Sequence, residues 1–325
     1  PVFRRKPPVG KMATDESFLA KDGRIWYTTK GVKSKVKGIA TLKTAIVTDT
    51  NSSITPQEAK EMGIYLIPMP FFIDGETYLE GETCTHETFF HLLKAGAKVS
   101  TSQPSPETIT SLWDRLLQTY DRVLHFPMSS GLSGSCETAK ALAQDYDGRV
   151  LVVDDHRITL TLARSIRNAV SLLDQGKTAE EVKAILEGER DASSIYVAVS
   201  TLEYLRKSGR VTAAGAAMAT ILHIKPVLQI QGGKLDAYRK VRGMLHAKKT
   251  MIEALRHDLA IRFSGMRMVV YSGYSGSDRT VGDTWHDEVQ AAFPEYKVPP
   301  SVSLPLSICC HTGEGAVGLG CAKVW

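Results

Sequence analysis

From Lys43 onward the chain alternates short apolar runs with amphipathic stretches that open on a hydroxyl or a proline and close on glycine. "TAIVTD" (44–49) reads as a buried strand running into a loop. The segment after it predicts a capped helix, with Thr55 as cap, Pro56 at the first position and Gly63 at the end. "IYLIPMPFFI" is extended, and its prolines Pro68 and Pro70 forbid a fully paired central strand. "FFIDGETYLEG" predicts a hairpin turning at Asp74-Gly75, and "THETFFHLLKAG" a helix capped by Thr85. Ser105-Pro106 opens a further helix whose Ile109, Leu112, Trp113, Leu116 and Leu117 share one face. "RVLHFP" is a strand, "SSGLSGS" a turn, "CETAKALAQDY" a helix and "RVLVVDD" the next strand. Strand and helix in alternation predict a parallel sheet with helices on both faces, whose ligand edge lies beyond the carboxyl ends of the strands.

The second half changes character. Helices are expected over 157–175, 178–189 and 201–208, and from Ala213 to about Ile224. "SIYVAVS" and "RMVVYSG" read as strands, and "KPVLQIQGGKLDAYRK" as a hairpin at Gly232-Gly233. A long helix runs from Met244 to Ala260, and another ends at Phe293. The expected organisation is an N-terminal extension (1–43), an α/β domain with a parallel sheet (44–194) and a second, mixed-sheet α/β domain (195–325).

Charge is uneven. Residues 1–43 carry eleven Lys and Arg against three acidic residues, so the extension is near +8 and the remainder near −3. The extension reads as a solvated arm with a possible Asp22-Gly23 hairpin. The body has no basic patch with interleaved aromatics, so nucleic acid is not an expected partner. No apolar run is long enough to cross a membrane, and no secretory signal is read. Five irregularly spaced cysteines predict reduced thiols in a cytoplasmic protein.

The familiar chemical motifs fail on inspection. Gly313, Gly315 and Gly318 fit G-x-G-x-x-G after an expected strand, but seven residues remain, too few for a dinucleotide fold. "DQGKT" has Ser171 where a phosphate loop needs glycine, and "GLSGS" has Ser135 where a nucleophile elbow needs it. Cys309, Cys310 and His311, read on a strand, would point to opposite faces, so no metal site is expected. What remains is a set of neutral hydroxyls: Thr50, Ser52 and Ser53; Thr101 and Ser102; Ser129, Ser130 and Ser133; then His311 and Thr312. Each cluster singly reads as a helix cap or turn. Together, at one sheet edge, they suit a reversibly held carboxylate.

"TAIVTDTNSSIT", "VSTSQPSPE", "FPMSSGLSGSCETA", "LRKSGRV" with "ILHIKPVL", "KVRG" and "HTGEGAVG" resemble, in order and spacing, the motifs of the DegV family over about 44–325. That family includes the fatty-acid-binding (FakB) subunits of bacterial fatty acid kinase. The resemblance implies a two-domain DegV-like α/β fold that encloses one long-chain fatty acid. A separate kinase catalytic subunit would phosphorylate the bound carboxylate with ATP, giving an acyl phosphate for phospholipid synthesis. The chain would then be a carrier with no chemistry and no cofactor of its own, and no integral membrane association.

By motif position, Thr101 and Ser133 would hold the carboxylate beside Ser102, with His311 and Thr312 completing the polar network. Arg242, and more weakly Arg210, would face the kinase. The small residues at 213–217 would make room in a tunnel wall lined by Met218 and Ile221. The rival is a serine-dependent acyl-transfer or hydrolytic enzyme using Ser133 and His311. Glu314 departs from the proline many relatives have, and sets a carboxylate close to the expected head-group site.

Overall fold

The computed structural model describes residues 42–217, 224–231 and 233–325, together with four residues of the extension. Those four form strands β1 (Ala20–Lys21) and β2 (Arg24–Ile25), paired antiparallel, and the expected Asp22-Gly23 turn itself lies outside the described residues. Residues 1–41 and 42–325 are separate compact units.

The second unit begins with β3 (Thr44–Asp49), α1 (Pro56–Met62) and β4 (Tyr65–Ile67). Then come β5 (Pro70–Ile73), β6 (Glu76–Leu79), α2 (His86–Lys94) and β7 (Val99–Thr101). Next are α3 (Pro106–Leu116), β8 (Arg122–Phe126), α4 (Ser135–Ala143) and β9 (Val150–Val152). Helices α5 (Thr159–Asp174) and α6 (Ala179–Gly188) follow. Strands β4-β3-β8-β9 form the expected parallel sheet. Its two faces alternate residue by residue. Ile46, Leu124 and Phe126 pack toward α1, α5 and α6, while Ala45, Val47 and Val123 pack toward α3 and α4. Thr55 makes a full capping box with Glu58, and Thr85 and Ser105 accept the N3 amides of α2 and α3. The proline-interrupted run divides between two sheets: β4 edges the parallel sheet, and β5 joins β6 and β7 in a small antiparallel one.

The rest of the chain continues with β10 (Ser193–Ala198), α7 (Glu203–Ser208), α8 (Ala213–Ala216), β11 (Ile224–Ile230) and β12 (Leu235–Arg242). It closes with α9 (Gly243–Ile261), β13 (Met268–Tyr274), α10 (Arg279–Ala292), β14 (Val302–Ser303), α11 (Leu306–Thr312) and β15 (Val317–Lys323). The second sheet is mixed, in the order β12-β11-β10-β15-β13-β14, with only β13 and β14 parallel. One face, with Tyr196, Val270 and Leu319, is covered by α9 and α10. The other turns Ile195 and Ile230 toward the core of the parallel-sheet half.

Three expectations need correction. The helix expected from Ala213 to about Ile224 stops at Ala216 and Ile224 opens β11, with 218–223 outside the described residues. Leu306–Thr312 is a helix, not a strand. Pro305 has no N–H for a ladder and sits just before the helix, and the buried Glu80 carboxylate accepts the Leu306 and Ser307 amides at 2.8 and 2.7 Å. Leu306, Cys309 and Cys310 then share the face packed on Phe71, Phe89 and Phe90. The third correction is β15, a central strand the sequence reading leaves unassigned, because Gly318 and Gly320 weaken its strand pattern.

Candidate functional site

Between the two sheets lies a cavity of about 320 Å³, within the range of small-molecule sites. Most of its wall is apolar: Leu132, Ile158, Leu160, Ile195, Val197, Leu205, Ile230 and Leu235. Much of the polar lining comes from two loops and one helix, brought together from distant parts of the chain. Strand β7 ends on Thr101 and hands Ser102 and Gln103 to the wall. The loop after β8 supplies Ser133 and Gly134, and α11 supplies His311 and Thr312.

Thr101 and His311 meet directly, with Oγ1 and Nε2 3.0 Å apart. Burial, with the Arg210 guanidinium as a second cause, holds the imidazole pKa down to about 4, so the ring is neutral at pH 7. Its Nδ1 is buried and has no partner among the described residues. A neutral imidazole and a hydroxyl can donate to a carboxylate without a buried ion pair.

Ser133 lies beside the start of α4, whose N-cap Gly134 offers no side-chain bond, and Ser133 Oγ accepts the Ser135 amide at 3.2 Å. That bond occupies the first amide of α4, so Ser133 steadies the start of the helix as well as lining the cavity. Gln103 ties this loop to the β7 loop. Its amide and the Thr138 hydroxyl bond reciprocally at 3.1 and 3.2 Å. Ser102 is exposed at the wall. Thr312 is buried and spends its hydroxyl on Ile308, Gly313 and Ser275.

The turn at 50–53 contributes differently from the expectation. Thr50 accepts the Met69 amide and Ser52 the Ile54 amide, and neither lines the cavity. Asn51 does line it, and accepts the Ser307 hydroxyl at 2.6 Å, so the turn steadies α11 instead of offering hydroxyls. Behind it, buried Asp49 accepts the Asn51 and Met128 amides, and burial pushes its pKa up to about 7. Ser129 and Ser130 also lie outside the wall. Ser129 donates to Gly233 O at 2.8 Å, and the Ser130 amide is taken by Asp154. Asn51 and Gln103 are functional candidates that motif reading passes over. The signal for each is a single amide in a hydroxyl-rich turn.

Arg210 borders the cavity beside His311 and donates to Ser208 O at 2.5 Å. Arg242 is exposed at the start of α9, away from the cavity wall. Met218 and Ile221 lie outside the described residues. Glu314 turns to an exposed pairing with Lys94 at 2.9 Å, not to the polar end. His311 bonds Thr101 and not Ser133. Burial raises the Cys309 thiol to about 12, and that of Cys310 rises as well. Both behave as small core residues. Among the described residues no helix is long and apolar enough to cross a membrane.

Comparison with known proteins agrees on one family. Residues 43–324 match the family described as "Uncharacterised protein, DegV family". A DegV domain-containing protein of Deinococcus radiodurans is 30% identical over 276 residues, covering 85% of this chain and 96% of that relative. The structure of a DegV family protein from Thermus thermophilus, described by its fatty acid binding, aligns with a TM-score of 0.78 and 31% identity, covering 87% of this chain and all (100%) of that one. DegV of Bacillus subtilis, described as a fatty acid binding protein, aligns with a TM-score of 0.76 and 25% identity, covering 87% of this chain and 100% of that one.

Proposed function

This chain belongs to the DegV family, and we propose that it binds one long-chain fatty acid in the cavity between its sheets and presents the carboxylate to a separate kinase. The observation that carries this reading is a mostly apolar cavity with the Thr101–His311 pair in its wall. Burial of the acyl chain contributes roughly 0.8 kcal/mol per CH₂, so the tail supplies most of the affinity. The carboxylate is held at Thr101, Ser102, Ser133 and His311, while Thr312, whose hydroxyl is already spent, only shapes the wall behind them. Neutral donors neither neutralise it nor block it, which leaves an oxygen free to attack phosphorus.

In this reading a fatty acid kinase catalytic subunit supplies ATP. A carboxylate oxygen bonds to the γ-phosphorus, the bond to the β-bridging oxygen breaks, and ADP leaves. The products are ADP and a bound acyl phosphate, and no catalytic group of this chain takes part. Arg242 and Arg210 face the kinase. The chain works as a cytoplasmic carrier, with the parallel-sheet and mixed-sheet portions as its two domains and Met218 and Ile221 completing the tunnel.

Mass spectrometry of an organic extract of native protein tests the first step, and a stoichiometric long-chain fatty acid is the expected result. Incubation with the kinase subunit, ATP and hydroxylamine tests the second by trapping the acyl phosphate as a hydroxamate. An acyl ester recovered on Ser133 would instead establish the serine-enzyme reading.

A further inference from the structure

The cavity floor contains a glycine that the fold itself does not require. Gly318 lies inside the mixed sheet, paired with Val197 of β10 on one side and Gly273 of β13 on the other. Its neighbours Val317 and Leu319 are 3% and 1% exposed, yet Gly318 is only partly covered, and it lines the cavity. Its backbone is not in the left-handed region. A Cβ built there would meet nothing closer than the Gly273 and Tyr196 carbonyl oxygens at 3.9 and 4.0 Å.

The next row contrasts with it. Gly320 sits between Ile195 and Tyr271, and a Cβ there would lie 2.9 Å from Ser194 O and 3.3 Å from the Ile195 side chain. Gly320 is required by packing. Gly318 gives up a side chain in a central strand, where glycine is unfavourable, and gains nothing from its protein surroundings. A strand glycine marks a bulge, a bend or a close approach; pairing runs unbroken through Gly318 and no other backbone crowds it, which leaves approach of a ligand.

We propose that Gly318 sets the width of the cavity. Its missing methyl leaves the room in which an acyl chain lies against the sheet. The site thereby accepts chains broader than a straight saturated one, with methyl-branched acyl chains as the class that uses the space. This rests on the fatty-acid reading above and adds a specificity determinant to it.

The test compares full-length protein with Gly318→Ala, Gly318→Val and Gly320→Ala, using straight and mid-chain methyl-branched fatty acids of equal carbon number. Competition against a fluorescent fatty acid gives the affinities. Wild-type protein binds the two forms within about twofold of each other. Gly318→Ala lowers affinity for the branched form about fourfold relative to the straight one, the equivalent of roughly 0.8 kcal/mol for one methyl left unburied. Gly318→Val increases the discrimination, and Gly320→Ala lowers the melting temperature instead. Folded Gly318→Ala with an unchanged branched-to-straight ratio overturns the inference, whether or not the valine variant folds. Wild-type protein that binds no fatty acid overturns the fatty-acid reading and this inference together, so the two failures are distinguishable.

Discussion

The Thr101 hydroxyl and the His311 imidazole lie 3.0 Å apart, although 210 residues separate them. The contact joins the last residue of β7 to the last turn of α11, and it sets a hydroxyl–imidazole pair in the wall of a mostly apolar cavity. Neither residue carries charge at pH 7. In the proposed function this pair orients the carboxylate, and the apolar wall supplies the binding energy.

Removing one member should therefore weaken retention without unfolding the chain. A hydrogen bond to a charged group contributes about 1.5–3 kcal/mol, so Thr101→Val is expected to lower fatty acid affinity roughly tenfold or more. The partly buried position keeps its shape, and the melting temperature should move by no more than about 2 °C. Isothermal titration with delipidated protein reads the first effect and a thermal melt the second. An affinity equal to wild type would remove Thr101 from the site.

Glu80 gives the opposite pattern. Its buried carboxylate accepts the Leu306 and Ser307 amides, which otherwise have no cap. Glu80→Ala strands two buried donors at the start of the helix that carries His311. The expected cost is about 2–3 kcal/mol of stability, with fatty acid affinity falling alongside it. Urea denaturation should show a lower midpoint with an unchanged slope.

These two residues also mark the limit of what the sequence makes legible. The α/β class follows from local patterns: alternating apolar runs, the Thr55 and Thr85 caps, the Ser105-Pro106 start and the Asp74-Gly75 turn all recur in the structure. Helix α11 does not follow locally, because its cap is supplied by Glu80, 226 residues away from Leu306. Strand β15 is obscured by the glycine that leaves room at the cavity floor. The turn at 50–53 reads as a hydroxyl cluster, yet only Asn51 of it reaches the cavity, through a bond to Ser307 that sequence spacing cannot reveal. Local rules predict elements, and long-range polar contacts decide which turn residues reach the site.

The pH dependence has a definite sign. Burial lowers the pKa of His311 to about 4 and of His125 to about 3, against an ordinary value of 6.5. Below about pH 6.5 the unfolded chain takes up protons that these folded histidines refuse, so their contribution is full above 6.5 and is lost as pH falls toward 4. Asp49 acts in reverse. Its folded pKa is raised from 3.8 to about 7, so its contribution declines as pH rises across that interval. Burial also raises the carboxyls of Glu80 and Asp155, which act with Asp49, so the histidine contribution is read by difference. The change in unfolding free energy between pH 6.5 and 4.5, measured by urea titration at constant ionic strength, is expected to include a smaller acid loss in His311→Gln than in wild type. Arg210→Ala should shift the His311 imidazole titration upward in an NMR experiment, because the guanidinium is one of the two causes holding it down.

Under the proposed presentation to a kinase, Arg242 is the residue that separates carrying from presenting. It is exposed at the start of α9, its side chain makes no cap bond there, and it is absent from the cavity wall. Arg242→Glu should leave the melting temperature within about 2 °C of wild type, since exposed substitutions of this kind cost little. The fatty acid content of purified protein should also be unchanged. Acyl hydroxamate formed with the kinase subunit and ATP should fall at least tenfold, because a reversed charge at a contact surface both removes an attraction and adds a repulsion. The salt dependence gives a further check: raising ionic strength should slow the wild-type reaction and partly relieve the variant, as screening weakens both interactions. Undiminished hydroxamate formation by a folded, fully loaded variant would take Arg242 out of the kinase-facing surface while leaving fatty acid binding intact.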